Sequence, residues 1–191
     1  MPFAKFFDRR RRSSIAHELY VSIINQARLP ALYVDFCVPD TLDGRFDLIV
    51  LHAFLVMRRL RAIGPGDEGS ESREVAQALF DLMFADMDQN LRELGVSDTS
   101  VGKRIKQMVQ AFYGRASAYE ECLDAGGDGD GLSDALRRNL YGTVEGDVPA
   151  GAVAAMVQYL RGQSNYLAGQ DGADIVAGKV TFLSPEGFHA R

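Results

Sequence analysis

The side chains best suited to chemistry in this 191-residue chain are its three histidines, its two cysteines and several tight groups of acids. His17, His52 and His189 are dispersed, and none has a nucleophile or ligand partner at a diagnostic spacing, whereas a general base needs a positioned partner. His52 lies in the most apolar stretch of the chain and reads as a hydrogen-bonded core histidine. Asp124, Asp128 and Asp130 among glycines invite a calcium site. A calcium loop needs oxygen ligands at alternate positions and a closing Glu. Counting from Asp128, the fifth position is Leu132, so the pattern fails and a solvated linker is the better reading. Gly64–Pro65–Gly66 lacks the Lys–Ser/Thr ending of a phosphate loop. Asp81, Asp86 and Asp88 have no histidine beside them and none of the Glu-x-x-His pairs of di-iron bundles. Cys37 and Cys122 match no zinc or redox spacing and read as small apolar groups in a reducing compartment. No catalytic residue, no metal site and no cofactor follow from these residues.

What remains is a charged surface carried on helices. Leu79 to Tyr119 reads LFDLMFADMDQNLRELGVSDTSVGKRIKQMVQAFYGRASAY. It has apolar residues at helical spacing, dense charge on the other faces and a break at Gly95. Lys103, Arg104 and Lys106 fall near a helix start, where the dipole disfavours cations by a few tenths of a kcal/mol per exposed charge. Either Asp98 and the acids Asp86, Asp88 and Glu93 across the turn compensate them, or the opposed charges serve a partner. Tyr113, Gly114 and Arg115 extend the pattern and tip the reading toward the partner. Phe3, Phe6 and Phe7, beside Lys5 and Arg9, Arg10, Arg11 and Arg12, form a second, aromatic–basic segment. It reads equally as an anionic-lipid contact, at about 1 kcal/mol per basic residue near a surface, or as a solubilising tail.

The elements that must carry these groups are helical. A net charge of −5 disfavours a general nucleic-acid binder, so no specific nucleic-acid partner is expected. Phe46 to Met57 is about half the length needed to cross a bilayer, and the N-terminal MPFAKFFDRRRR has no apolar region of the secretory kind. Ser13 or Ser14 is placed to cap a first helix with an apolar stripe from Ile15 to Ala27, ended by Pro30. Ala31 to Arg45 reads as a loop or short extended piece. A second helix over about Arg45–Ala62 is apolar all round and therefore central. A third spans Glu71–Leu94 and a fourth starts at Ser97 or Asp98, with Gly95 as the cap between neighbours. A short fifth helix covers Leu132–Tyr141, and Pro149 opens a sixth over Ala150–Leu167. The expectation is all-α: one helical bundle of about six helices with a loop-rich C-terminal tail. Residues 1–12 would be a basic, flexible arm, 13–169 the domain, and 170–191 a tail packed on it or extending from it, with a short extended segment that has no obvious partner.

With these residues in view, the sequence resembles the ubiquinol–cytochrome c chaperone family over about Leu29 to Leu167. The resemblance rests on PDTLDGRFDLIVLHAFLVMRRL (Pro39–Leu60), on the Leu79–Tyr119 block and on LYGTVEGDVPAGAVAAMVQYLRGQ (Leu140–Gln163). The short arm, followed at once by a helix, resembles a bacterial-type member rather than a mitochondrial one. The resemblance implies a non-enzymatic assembly factor of respiratory complex III that holds newly made cytochrome b; in mitochondria such proteins act with a small partner and contact the ribosome. It implies no catalytic residues. The expected location is the cytoplasm, with peripheral contact to the inner face of the cytoplasmic membrane left open. The partner-binding surface is expected at Asp40, Asp43 and Arg45, in the loop before the second helix, and at Asp86, Asp88, Arg92, Glu93, Lys103, Arg104, Tyr113 and Arg115, with exposed Tyr or Met as apolar anchors. Two rivals stand beside it. One is a carrier or enzyme with an aromatic-lined interhelical pocket for a quinone- or haem-like molecule, into which His52 or Tyr113 would open. The other is a peripheral membrane scaffold driven by the arm.

Overall fold

The computed structural model describes residues 2–64, 70–125 and 130–188, and the side chains of all of these except residues 2–6 and 130. The helices are α1 (Pro2–Ala27), α2 (Pro30–Val34), α3 (Leu42–Ile63), α4 (Glu71–Glu93), α5 (Asp98–Asp124), α6 (Asp130–Asn139), α7 (Ala150–Gly169) and α8 (Gly172–Val176), followed by a 3₁₀ turn at Pro185–Gly187. The described residues contain no strand. Pro65, Gly66, Asp128 and His189 lie outside the described residues, as do the side chains of Phe3, Lys5, Phe6 and Asp130.

Helix α3 organises the rest. Every residue from Asp47 to Met57 is buried, so this helix has no solvent face and needs neighbours on all sides. Helices α1, α4, α5, α7 and α8 supply them. Its start is held by Thr41, whose hydroxyl accepts from the Gly44 amide at 3.1 Å, a side-chain cap of the usual kind. Gly44 is needed there for space: a Cβ on it would sit 2.0 Å from the Pro39 carbonyl oxygen.

The turn between α4 and α5 follows its sequence. Gly95 has φ +80. Its amide donates to the Arg92 carbonyl, and that of Val96 donates to the Leu91 carbonyl at 3.0 Å. These two bonds close the α4 C-terminus in a Schellman arrangement. Beyond the turn the helices run antiparallel, with the Phe80 ring 5.4 Å from Phe112 and 5.5 Å from Tyr113.

Three local expectations are corrected. Helix α1 begins at Pro2, so Ser13 and Ser14 are interior residues rather than caps; Arg11 and Arg12, on its exposed upstream turns, form ion pairs with Glu71 and Glu74 of α4. Pro30 does not end a helix but opens α2, a position where its missing N–H is harmless. Helices α2 and α8 are each five residues long, too short to display a 3.6-residue period in sequence. A fourth correction concerns Cys37, which is exposed rather than packed. Phe36 and Val38 on either side both point into the core, and the chain turns through φ 55 at Cys37 to allow it.

The segment after α8 has no strand partner among the described residues, yet the backbone of Thr181 and Leu183 is held by side chains. Gln163 of α7 donates to the Leu183 carbonyl at 2.8 Å and accepts from the Leu183 amide at 3.0 Å. Gln170, two turns along the same face, makes the equivalent pair with Thr181 at 2.8 and 3.1 Å. Two glutamine amides thus stand in for a neighbouring strand, and at the part-buried Leu183 this meets the need to pair backbone groups withdrawn from water.

Candidate functional site

The antiparallel α4–α5 pair does not close completely over the start of α3. Between the last turns of α4, the first half of α5, the first turns of α3 and the segment after α6 lies an open groove of about 620 Å³. Its floor is apolar, built from Phe46, Met87, Leu91, Met108 and Ala111, and its edges carry Leu42 and Leu94. Those two leucines are 70% and 62% exposed, and both line the same groove. The exposed anchors are therefore leucines, together with Tyr113 at the edge of the Phe80–Phe84–Phe112 cluster. Met87 is buried.

At the bottom of the groove Arg115 meets Asp47, with Nη2 2.8 Å from Oδ1. Asp47 is 7% exposed. Oδ1 and the Arg115 Nε are both buried without a well-aligned hydrogen bond. Burial pushes the Asp47 carboxyl up to about 7, although the Arg115 charge opposes the shift. Desolvation therefore outweighs the ion pair here, as it can when the pairing geometry is imperfect.

The expected partner residues separate into groups. Asp43, Arg104 and Arg115 come together on the groove, joined by Arg138. The acids of α4 do not face it as free charges. Asp86 accepts from the Tyr20 hydroxyl at 2.8 Å and from Asn90 at 3.0 Å, fastening α4 to α1. Asp88 holds Arg92 at 2.5 Å, and Arg92 also pairs with Asp98 across the turn. Glu93 accepts from Gln89 at 2.9 Å. Compensation of Lys103, Arg104 and Lys106 by these acids is thus not what the structure has. Among the described residues those three bases make no ion pair, and neither does Arg138.

Asp40 and Arg45 pair with one another at 2.6 Å, and this hydrogen bond holds the Asp40 carboxyl below its usual range. They border a separate depression with Arg28, Tyr33 and Val34. Tyr113 borders another, of about 210 Å³. Of the basic arm, Phe7 and Arg9 are exposed, while Arg11 and Arg12 are engaged by α4.

His52 does not open into the groove. It is fully buried; its Nδ1 lies 2.7 Å from the Leu48 carbonyl and its Nε2 2.8 Å from the Tyr159 hydroxyl. With Nδ1–H donating to the carbonyl, Tyr159 donates to Nε2 and accepts from Gln26 at 2.8 Å. Burial pulls the imidazole down to about 4. This is a neutral structural histidine, as its apolar surroundings predict. The groove is open, with Phe46 as the aromatic ring in its lining; Phe80, Phe112 and Tyr113 line the smaller depression of about 210 Å³. Among the described residues no group of His, Cys, Asp and Glu could hold a metal ion, and no helix is long and apolar enough to cross a membrane.

Sequence reasoning missed Leu42, Asp47, Leu94 and Arg138. One signal was available: Asp47 is an acid inside an otherwise apolar helix, and such a group must find a partner or a proton.

Comparison with known proteins bears on what this groove serves. A sequence model of the family described as Ubiquinol-cytochrome C chaperone matches residues 34–182. The ubiquinol-cytochrome c reductase complex assembly factor 1 of Mus musculus is 24% identical over 161 residues, covering 84% of this chain and 52% of that protein. Protein CBP3, mitochondrial, of Saccharomyces cerevisiae is 27% identical, covering 93% of this chain and 55% of that protein. The chain thus spans about half the length of these curated relatives. The crystal structure of the Cbp3 homolog from Brucella abortus superposes with a TM-score of 0.81 at 31% identity, covering 98% of this chain and 99% of that one.

Proposed function

The chain belongs to the ubiquinol-cytochrome C chaperone family, and from that premise we propose that it is an assembly chaperone for ubiquinol–cytochrome c reductase, respiratory complex III. It works by binding rather than by turnover, and its client is newly made cytochrome b. The relatives named as assembly factors of that complex support the process. The observation that carries the surface is the open groove with Leu42 and Leu94 exposed at its edges. A helical membrane protein presents apolar helices that water penalises until they are inserted, and an apolar groove with charged edges can cover such a helix reversibly. Apolar anchors supply most of the affinity, and the charged edge selects and orients the partner. The protein would act at the inner face of the cytoplasmic membrane. With Arg11 and Arg12 occupied by α4, the basic arm is a secondary contact in this reading.

Crosslinking in native membranes, followed by identification of the captured protein, tests the client directly. The double reversal Lys103→Glu, Arg104→Glu should weaken capture of cytochrome b while the far-ultraviolet spectrum and unfolding midpoint stay unchanged. Undiminished capture would remove this surface from the proposal. Deletion of the gene should lower assembled complex III as read from its haem absorbance.

A further inference from the structure

Acids and bases on the α4–α5 face have opposite fates. Asp86, Asp88, Glu93 and Asp98 are all bound within the molecule. Lys103, Arg104, Lys106 and Arg138 have no ion-pair partner among the described residues. In the groove itself, Asp47 lies against Arg115 and offsets part of its charge. The charges left over are Arg104 and Arg138 against Asp43. A chain with an overall charge of −5 therefore presents its groove with a locally positive edge. The floor is a strip of Leu91, Met108 and Ala111 lying between two antiparallel helices, the shape that a third helix fills by placing its side-chain ridge between theirs.

We propose that the groove docks an amphipathic helix of the partner polypeptide, apolar on the face that enters between α4 and α5 and acidic on the flanks that meet Arg104 and Arg138. The partner's identity as the client rests on the function proposed above; the chemistry of the docked segment rests on the groove alone. The pairing is directional, because like charges set against one another at a desolvating edge exclude the wrong partner more strongly than matched charges attract the right one. Beside Asp43, which also lines the groove, the helix should carry no acid.

Two synthetic helical peptides with one leucine face, carrying either glutamate or lysine on the flanks, serve as probes against the full chain, read by fluorescence anisotropy. The acidic peptide should bind at least about tenfold more tightly, and added salt should erase the difference. Arg104→Glu, Arg138→Glu should reverse the preference. Leu94→Ser, at an exposed position that does not support the core, should weaken both peptides. Equal binding of the two peptides, a preference that survives the reversal, or affinity untouched by Leu94→Ser would overturn the proposal. So would saturation of the groove by palmitate with neither peptide binding. If the acidic peptide docks as described but native-membrane crosslinking captures no cytochrome b, the client assignment fails and the groove chemistry stands. If cytochrome b is captured while the peptides are not distinguished, this inference fails alone.

Discussion

The Asp47 carboxyl allows a quantitative test of the groove floor. Its pKa rises from 3.8 to about 7 because burial outweighs the Arg115 charge. The folded state therefore binds more protons at this site than the unfolded chain does between about pH 4 and pH 7, and stability falls as pH rises through that window. About three pKa units at 1.36 kcal/mol each amount to roughly 4 kcal/mol, an order-of-magnitude figure. His52 acts in the opposite sense. Its folded pKa is lowered from 6.5 to about 4, so its contribution is fully present above about pH 6.5 and is lost as pH falls toward 4, by roughly 3 kcal/mol. The two slopes nearly cancel between pH 4 and 6.5 in the natural chain.

Asp47→Asn removes one slope and leaves the other. Loss of the Arg115 partner shifts the whole curve by a constant, so the informative quantity is the difference between the two proteins at each pH. Urea unfolding at about pH 4.5, 5.5, 6.5 and 7.5 should give a nearly flat profile for the natural chain up to pH 6.5 and a rising one for the variant. The difference should grow by several kcal/mol in the variant's favour toward pH 7.5, within the roughly 4 kcal/mol limit. Parallel profiles would refute the reasoning. A difference of opposite sign would mean that the Arg115 attraction prevails over desolvation.

Gly44→Ala should destabilise by about 2–4 kcal/mol in the same unfolding assay, since the new Cβ would lie 2.0 Å from a backbone carbonyl that a side-chain rotation cannot move. Gln163→Leu should leave the Leu183 amide without its side-chain partner, while the carbonyl keeps the Gln26 donor, at about 1–3 kcal/mol; faster hydrogen exchange confined to residues near 183 would register it, and unchanged protection there would contradict the glutamine-for-strand account.

How much of this was legible in the sequence depended on the range of the interaction. The helix pair around Gly95 was legible because its signals are local: an apolar period on each side and a residue suited to φ +80 between them. The centrality of α3 was legible because a helix apolar on every face has few places to go. Helices α2 and α8 were not, since five residues carry no period. The upstream run of α1 was hidden by its four arginines, which read as a separate arm until Glu71 and Glu74 are seen to receive two of them. The site was half legible. Asp43, Arg104 and Arg115 were named for their charge, and the fold does bring them together. The acids beside them were named for the same reason, but Tyr20, Arg92 and Gln89 claim them. Whether a surface charge is free or paired is decided by side-chain geometry across elements, which composition does not encode.

That sorting of charge also bears on how an exposed apolar groove remains tolerable in an unoccupied protein. Leu42 and Leu94 standing in water are a liability, because a groove lined by leucine can accept the same face of another copy. Two copies meeting groove to groove, however, would bring two positively charged edges into one interface, and desolvating like charges is costly. An acidic helix meets no such barrier. Asp88 and Asp98 share Arg92, Asp86 and Glu93 are held by neutral donors, and none of these four acids lines the groove beside Arg104 and Arg138. The interactions that fasten α4 to α1 and to α5 therefore also keep these acids off the basic edge. A variant that frees one of those acids, such as Arg92→Met, should narrow the gap between the acidic and basic peptides even though Arg92 lies outside the groove lining.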